Sequence, residues 1–320
     1  MPLFKDIDLF KLHYPALGSV DWERMSPWVE LVEIKVLRNV VMGPTLFNAL
    51  DTAYQASIAP SPTPMPGPLA NLHAKTLKAL ANLAAYEAIP NLSALFTSGG
   101  LMMAKTEGQE SAPMWLSNQT RAGAFEAGHV WLDVLISFLV ENKATYTDWA
   151  NAPLRVEIDE SLVTTMTTVD RHARILGNAW LLHQLRPAMR GIQNGILKET
   201  MGATRLAALL LKVQGTGVLD ANDLIMLDLA RPAMIYGAIA EEAVPLRLKV
   251  DAHTGVYVLE GSTGSSQVSR VEKQATADQL TALARNCKAK SEDFLGQIRE
   301  IVTPGSSGPA LGTTGSVFRS

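Results

Sequence analysis

The feature that most constrains the fold of this chain is a pattern that occurs twice. Met42-Gly43-Pro44-Thr45-Leu46, followed later by Glu87-Ala88-Ile89-Pro90, is matched by Met201-Gly202-Ala203-Thr204-Arg205-Leu206 and Glu242-Ala243-Val244-Pro245. Met42 and Gly43 fall on Met201 and Gly202 at an offset of 159 (201 − 42). Pro90 falls on Pro245 at 155 (245 − 90), which also carries Gly100 onto Gly255. The slip coincides with a Pro-rich loop in the first copy and a shorter Gly loop in the second. A repeat of this kind argues for a scaffold built by tandem duplication, and missing it would mis-assign the whole fold.

Local signals give each copy an order of elements. Ser26 as N-cap and Pro27 at the first helical position open a helix. Val29, Val32, Val36 and Val40 fall on one face of it. Gly43 ends it as a left-handed cap, and a short helix runs from Thr45 to about Ser57. The prolines at 60, 62, 64, 66 and 68 lock an extended segment. Two readings of it stand: a stiff loop, or a docking strand for a neighbour. A long helix from Leu69 to Ala88 presents Leu72, Leu77, Leu80, Leu83 and Ala84, and Pro90 stops it. Leu92–Ala104 then reads as a hairpin turning at Thr97-Ser98-Gly99-Gly100.

The second copy repeats the order. Arg186–Thr200 is its first helix, Gly202 the cap and Thr204–Val213 the short helix. Gly215-Thr216-Gly217 replaces the proline loop. Asp220 caps a helix from Ala221 to Ala243 that Pro232 is expected to kink and Pro245 to stop. Leu246–Leu259 forms the hairpin, turning at residues 251–255.

Between the copies Met114–Asn142 reads as one long core helix, with Trp115, Phe125, Trp131, Leu135, Phe138 and Leu139 inward. Tyr146 and Trp149 sit in the loop after it, and Ser161–Trp180 leads helically into the second copy. Thr276-Ala277-Asp278-Gln279 is a capping box that opens a helix to about Val302. The tail from Gly305 to Ser320 cannot bury enough apolar surface to fold alone. It is either a disordered end or an arm, tipped by Val317 and Phe318, that orders against a partner.

Composition narrows the class. The chain has 320 residues, 47% apolar and 18% charged, with 28 basic against 31 acidic side chains. No basic stripe marks it as a nucleic-acid binder. A single cysteine, Cys287, allows no internal disulfide, in keeping with a reducing cytoplasm. Met1–Phe10 carries Lys5, Asp6 and Asp8 and does not read as a signal peptide. Val130–Val140 is short of the roughly 20 residues a membrane span needs and reads as a core helix.

Motifs that carry chemistry are few. Gly215-Thr216-Gly217 lacks the third glycine of a dinucleotide loop and joins helices. His172 and His183 are too far apart to share one ion, and His129 reads as a core histidine. Asp159-Glu160 and Glu241-Glu242 are adjacent and point to different faces, which does not make an acid–base pair. Asp170-Arg171-His172 reads as a solvated turn. Arg285, Lys288 and Lys290 are expected to lower the Cys287 pKa, with no catalytic partner in view. No catalytic, cofactor-binding or metal-binding residue is therefore assigned, and no cofactor is expected.

Several segments together resemble a known group: the Met42–Leu46 break, Ala81–Pro90, Ser98-Gly99-Gly100-Leu101, and Trp131–Leu139 with Asn142 and Trp149. They are similar to a family of uncharacterised tailed-phage and prophage proteins of Bacteroidota hosts, over roughly residues 10 to 260. Each copy is also similar to the small helical head–tail connector (adaptor) proteins of tailed phages, although this chain is longer and carries two units. The resemblance implies a non-enzymatic virion structural protein, assembled in the host cytoplasm. It would form an oligomeric ring below the portal, with portal and tail or neck proteins as partners. Contact with DNA would be passive, and no membrane is involved. The alternatives are another virion component, for tail completion or on the capsid, and a soluble enzyme or ligand-binding protein.

The expected fold is mainly α: a tandem duplicated unit of three helices plus a β-hairpin around a central long helix, with a C-terminal helix and a flexible tail. The expected domains are 1–112, the first repeat; 113–169, the central helix and connector; 170–270, the second repeat; 271–303, the C-terminal helix; and 304–320, the arm.

Overall fold

A computed structural model describes residues 3–17, 20–92, 94–97, 100–103, 114–173, 179–249, 257–260, 271–274 and 276–303. The protein is mainly α. Cα packing divides it into two compact units. The first is Met1–Glu160 with Thr164–Thr168 and Leu176–His183, and the second is Ser161–Val163, Val169–Ile175 and Gln184–Ser320.

The first unit opens with a short helix, α1 (Ile7–His13), whose N-cap Asp6 accepts a hydrogen bond from the Leu9 N–H at 2.9 Å. The next helix, α2, is Trp22–Val32 and starts four residues before the expected Ser26 (26 − 22), with Pro27 inside it. Packing overrides the local start signal here. Met25, Val29 and Val32 are all buried on one face, and Met25 reaches that face only if the helix begins ahead of it. The helix then widens into a π-helix over Glu33–Val41. Such i→i−5 turns are rare and usually brief. This one closes with the Met42 N–H donating to Leu37 O at 2.7 Å. Gly43 has φ +73° and turns the chain into α3 (Gly43–Ile58).

The extended proline segment follows, with the Thr63 N–H bonded back to Ala56 O at 3.0 Å. Helix α4 (Gly67–Leu92) continues past Pro90, which the sequence reading had as its stop. Proline costs only one intrahelical bond, and in the last turn that loss is small. Ala79, Ala81, Ala84, Ala85 and Ala88 are fully buried, so α4 is enclosed on most sides along its centre. The residues expected inward, Leu72, Leu77, Leu80, Leu83 and Ala84, are buried.

Two short strands, β1 (Ala94–Thr97) and β2 (Gly100–Met103), pair antiparallel; the expected turn at Ser98 and Gly99 lies outside the described residues. Helix α5 (Met114–Glu141) packs along α4 within this unit. Leu132, Leu135, Ile136 and Leu139 are buried, while Val130 and Val134 are exposed. By length and composition Thr120–Glu141 could cross a bilayer, which the shorter run read from the sequence did not suggest. The Ala-rich wall of α4 supplies an apolar surface for it. Lys75 and Lys78 of α4 lie over the Phe138 and Trp131 rings of α5, with Nζ 4.8 and 4.2 Å from the centroids. A short helix, α6 (Pro153–Asp159), closes the unit.

Helix α7 (Met166–Ala173) precedes α8 (Ala179–Ile192), which carries Pro187 inside it. A π-helix over Gln193–Leu197 and the short α9 (Lys198–Met201) continue it directly. The expected start at Arg186 is therefore interior to a longer helix. Gly202, with φ +86° and ψ 141°, breaks to α10 (Ala203–Leu211). A third π turn over Lys212–Thr216 ends at a turn made by Gly215, φ +91°.

Helix α11 (Ala221–Lys249) runs past both Pro232 and Pro245. The strand expected at its end, from Leu246, is thus helical as far as Lys249. The strand β3 (Tyr257–Glu260) pairs instead with β4 (Val271–Gln274), a segment that gave no strand signal. The expected turn at residues 251–255 lies outside the described residues. The last helix, α12 (Ala277–Val302), opens on the expected capping box: Thr276 Oγ1 accepts from the Gln279 N–H, and Gln279 Oε1 accepts from the Thr276 N–H. It packs along α11. The tail from 304 to 320 lies outside the described residues.

Candidate functional site

The most constructed polar features are two clamps, one in each unit, that grip a single backbone residue. In the first unit the residue is Leu3, fully buried. Its N–H donates to Oε1 of Glu33 at 2.5 Å, and its carbonyl oxygen lies 3.2 Å from Nε2 of His73. A carbonyl only accepts, so the bond requires the proton on Nε2 of His73. The clamp is built from three elements: Glu33 opens the π-helix, His73 comes from α4, and Tyr54 of α3 stacks on the His73 ring at 4.5 Å. Phe4 and Phe10 are buried beside it, with rings 5.1 Å apart.

Burial dominates the electrostatics of this clamp. It pushes the Glu33 carboxyl up to about 8, helped by Asp51 and Glu30 and opposed by the Leu3 N–H and the amino group at residue 1. It holds His73 below its ordinary value, with His13 adding to the effect and the Leu3 carbonyl opposing it. Tyr54 is pushed up to about 12, by burial first and then by Asp6. A buried carboxyl with no cation against it is stable in its neutral form.

In the second unit the residue is Leu162, also fully buried. Its N–H donates to Oε1 of Gln193 at 3.0 Å, and its carbonyl accepts from Nε of Arg231 at 3.0 Å. Gln193 again opens the π-helix, and Arg231 again comes from the long helix.

A further tie in the first unit fixes the glycine break. Trp149 is completely buried, and its Nε1–H donates to Val41 O at 2.7 Å. That satisfies a carbonyl the helix end leaves open. The Tyr146 hydroxyl donates to Pro68 O at 2.8 Å. Ala152 is drawn so close that a Cβ on Gly43 would meet its Cα at 2.9 Å. A Cβ on Gly202 would meet nothing within 4 Å.

The residues weighed from sequence are dispersed. His129 is buried, edge-on to Phe125 with centroids 4.3 Å apart, and burial lowers it to about 4. His172 lies half-buried and is held low by burial and Arg231, with its carbonyl 3.4 Å from the Tyr236 hydroxyl. His183 faces Glu157 at 3.9 Å. Asp159 pairs with Arg155 one turn earlier. Cys287 is buried, and burial raises its pKa against the smaller effect of Lys290. The expected lowering by basic neighbours is thus reversed, because the thiolate loses its hydration. Lys212 ties Asp220 and Asp223 across the turn at Gly215, so that glycine serves chain closure. Among the described residues, no three His, Cys, Asp or Glu side chains converge in a way that could hold a metal ion. A groove of about 460 Å³ runs between α3 and the proline segment, lined by Asn48, Thr52, Ala56, Thr63, Pro64 and Pro66 among others.

Sequence reading missed both clamps. Glu33 and Gln193 each stand six residues after an in-helix proline (33 − 27 and 193 − 187), a shared spacing that does not reveal the leucine each one holds.

A model of a family of unknown function, DUF6712, matches residues 39–156. The match begins near the end of the first π-helix and ends within α6. No curated protein and no solved structure matches the chain.

Proposed function

We propose that the chain is a tandem duplication of one helical scaffold unit, and that it serves as a virion structural protein forming a head–tail adaptor ring below the portal. The observation that carries the duplication is the pair of clamps. Leu162 follows Leu3 by 159, Gln193 follows Glu33 by 160, and Arg231 follows His73 by 158. Backbone residue, π-helix residue and long-helix residue take the same parts in each. The caps add to this: Asp6 accepts from the Leu9 N–H, and Thr165 accepts from the Thr168 N–H at 3.4 Å, both pairs separated by 159.

The register supports the same reading. Pro27 and Pro187 correspond at 160, Gly43 and Gly202 at 159. The lost residue falls between the clamp and the glycine, where the first unit has nine π-helical residues and the second five. A π turn is how a helix absorbs one inserted residue. On this register the unit runs from the clamped leucine through α5 in the first copy and through α12 in the second. The central helix then belongs to the first repeat. The long helices correspond at 158, so the match of Pro90 with Pro245 at 155 falls out of register.

The adaptor role rests on the resemblance of residues 10–260 to uncharacterised tailed-phage and prophage proteins, on that of each copy to small head–tail connectors, and on what the duplication retained. Every corresponding residue is a clamp, cap, break or packing position, as suits a rigid subunit whose partners are proteins. Light scattering after size exclusion tests this, on the chain alone and mixed with the portal protein of the same genome. A closed ring, alone or on the portal, is expected. A monomer that ignores the portal contradicts the role.

A further inference from the structure

The two clamps share one geometry and differ in their chemistry, and that difference has a consequence for the segment held by the first. Leu162 is gripped by Gln193, which has no proton to lose near neutrality, and by Arg231, which stays charged there. Leu3 is gripped by a carboxylic acid and an imidazole. Glu33 is buried, at 4% exposed, and His73 half-buried, beside Leu3, Phe4 and Phe10 at or below 1%.

We propose that Leu3–His13 is a pH-responsive strap, held most securely on the first unit in mildly acidic solution and loosened as the pH rises through neutrality. The grip on Leu162 of the second strap, Leu162–Ala173, contains neither acid nor imidazole and does not share this response.

The groups that face Glu33 fix the sign. Asp51 on α3 and Glu30 on its own helix disfavour ionisation, as does burial; the Leu3 N–H and the amino group at residue 1 favour it. Tyr54 on α3 and His73 on α4 complete the surroundings, and neither carries a positive charge near pH 7. Closed, the carboxyl keeps its proton up to about pH 8; released into water it returns to its ordinary value of 4.5. Between these limits the released state binds fewer protons than the closed one. Rising pH therefore drives release, by up to about tenfold in the equilibrium per pH unit. His73 acts in the opposite sense below 6.5, where the released imidazole takes up a proton the buried one refuses. The strap is then most secure in a window between the two limbs.

Hydrogen–deuterium exchange on the full-length chain tests this. Rates for peptides spanning Leu3–Phe10 and Leu162–Val169 are measured from pH 6 to 8.5, each corrected for intrinsic exchange. In the unaltered chain, protection of Leu3–Phe10 should fall steeply across that range while Leu162–Val169 changes little. Glu33→Gln copies the amide of the second clamp and should flatten the first profile. The double variant Gln193→Glu/Arg231→His gives the second clamp the acid and imidazole of the first and should confer the loss with rising pH on the second strap, which keeps the test alive if the first variant misfolds. Parallel profiles in the unaltered chain and Glu33→Gln, or equal pH dependence of the two straps, overturn the proposal. Neither result bears on ring formation, so the strap and the adaptor role fail separately.

Discussion

At the scale of single residues, Gly43 and Gly202 show how the same conformational demand can carry different costs. Both have φ between +70° and +90°, where a side chain costs of order 1–3 kcal/mol. Gly43 carries a second constraint, because Trp149 and its hydrogen bond to Val41 O hold the chain that brings the Ala152 backbone within 2.9 Å of any added Cβ. Gly43→Ala should therefore lose about 3 kcal/mol or more by chemical denaturation, summing strain and backbone overlap. Gly202→Ala should lose about 1–2 kcal/mol, from strain alone. Equal losses would show that Ala152 moves aside freely. Both glycines were legible in the sequence, since each follows a periodic apolar run and precedes a new helix. Glu33, His73, Gln193 and Arg231 were not. Each looks like a surface residue of an amphipathic helix until the buried leucine reaches it from 30 or more positions away, and no local pattern encodes that approach.

At the scale of elements, helix pairs set the core of each unit. On α5, a Cβ at Gly128 would meet the side chain of Leu83 at 2.7 Å and its backbone nitrogen at 3.2 Å. On α11, a Cβ at Gly237 would meet the tips of Ile192 and Ser291, at 2.7 and 3.0 Å. Gly128→Ala should cost about 1–3 kcal/mol, the usual range for overpacking, because a backbone must shift. Gly237→Ala should cost less, because side-chain ends can turn. Paired thermal melts would show the order, and a larger loss for Gly237 would contradict it.

Helix existence was legible from periodicity, and the Thr276 box fixed one boundary correctly. Boundaries at prolines were misread. Pro27, Pro90, Pro187 and Pro245 all lie inside helices; at Pro27 and Pro187 buried residues on both sides, Met25 and Val29, Leu185 and Ala188, outweigh the proline's cost. The π segments were illegible too, since a single inserted residue leaves no mark on an apolar stripe.

At the scale of the molecule, the proposed duplication rests on two compact units and the matched clamps, one in each. The family model spans residues 39–156, which lie in the first unit. The second clamp has amide and guanidinium where the first has acid and imidazole. On the strap proposal the two units would differ in their response to pH. An adaptor whose two halves meet different neighbours has a use for that asymmetry.

The claim on which the functional account rests is presence in the particle. Quantitative mass spectrometry of purified virions from the genome that encodes this chain measures it directly. A fixed ratio of chain to portal protein, retained through gradient purification, is the result this account predicts. Absence of the chain from intact particles, with free chain in the lysate, would contradict it.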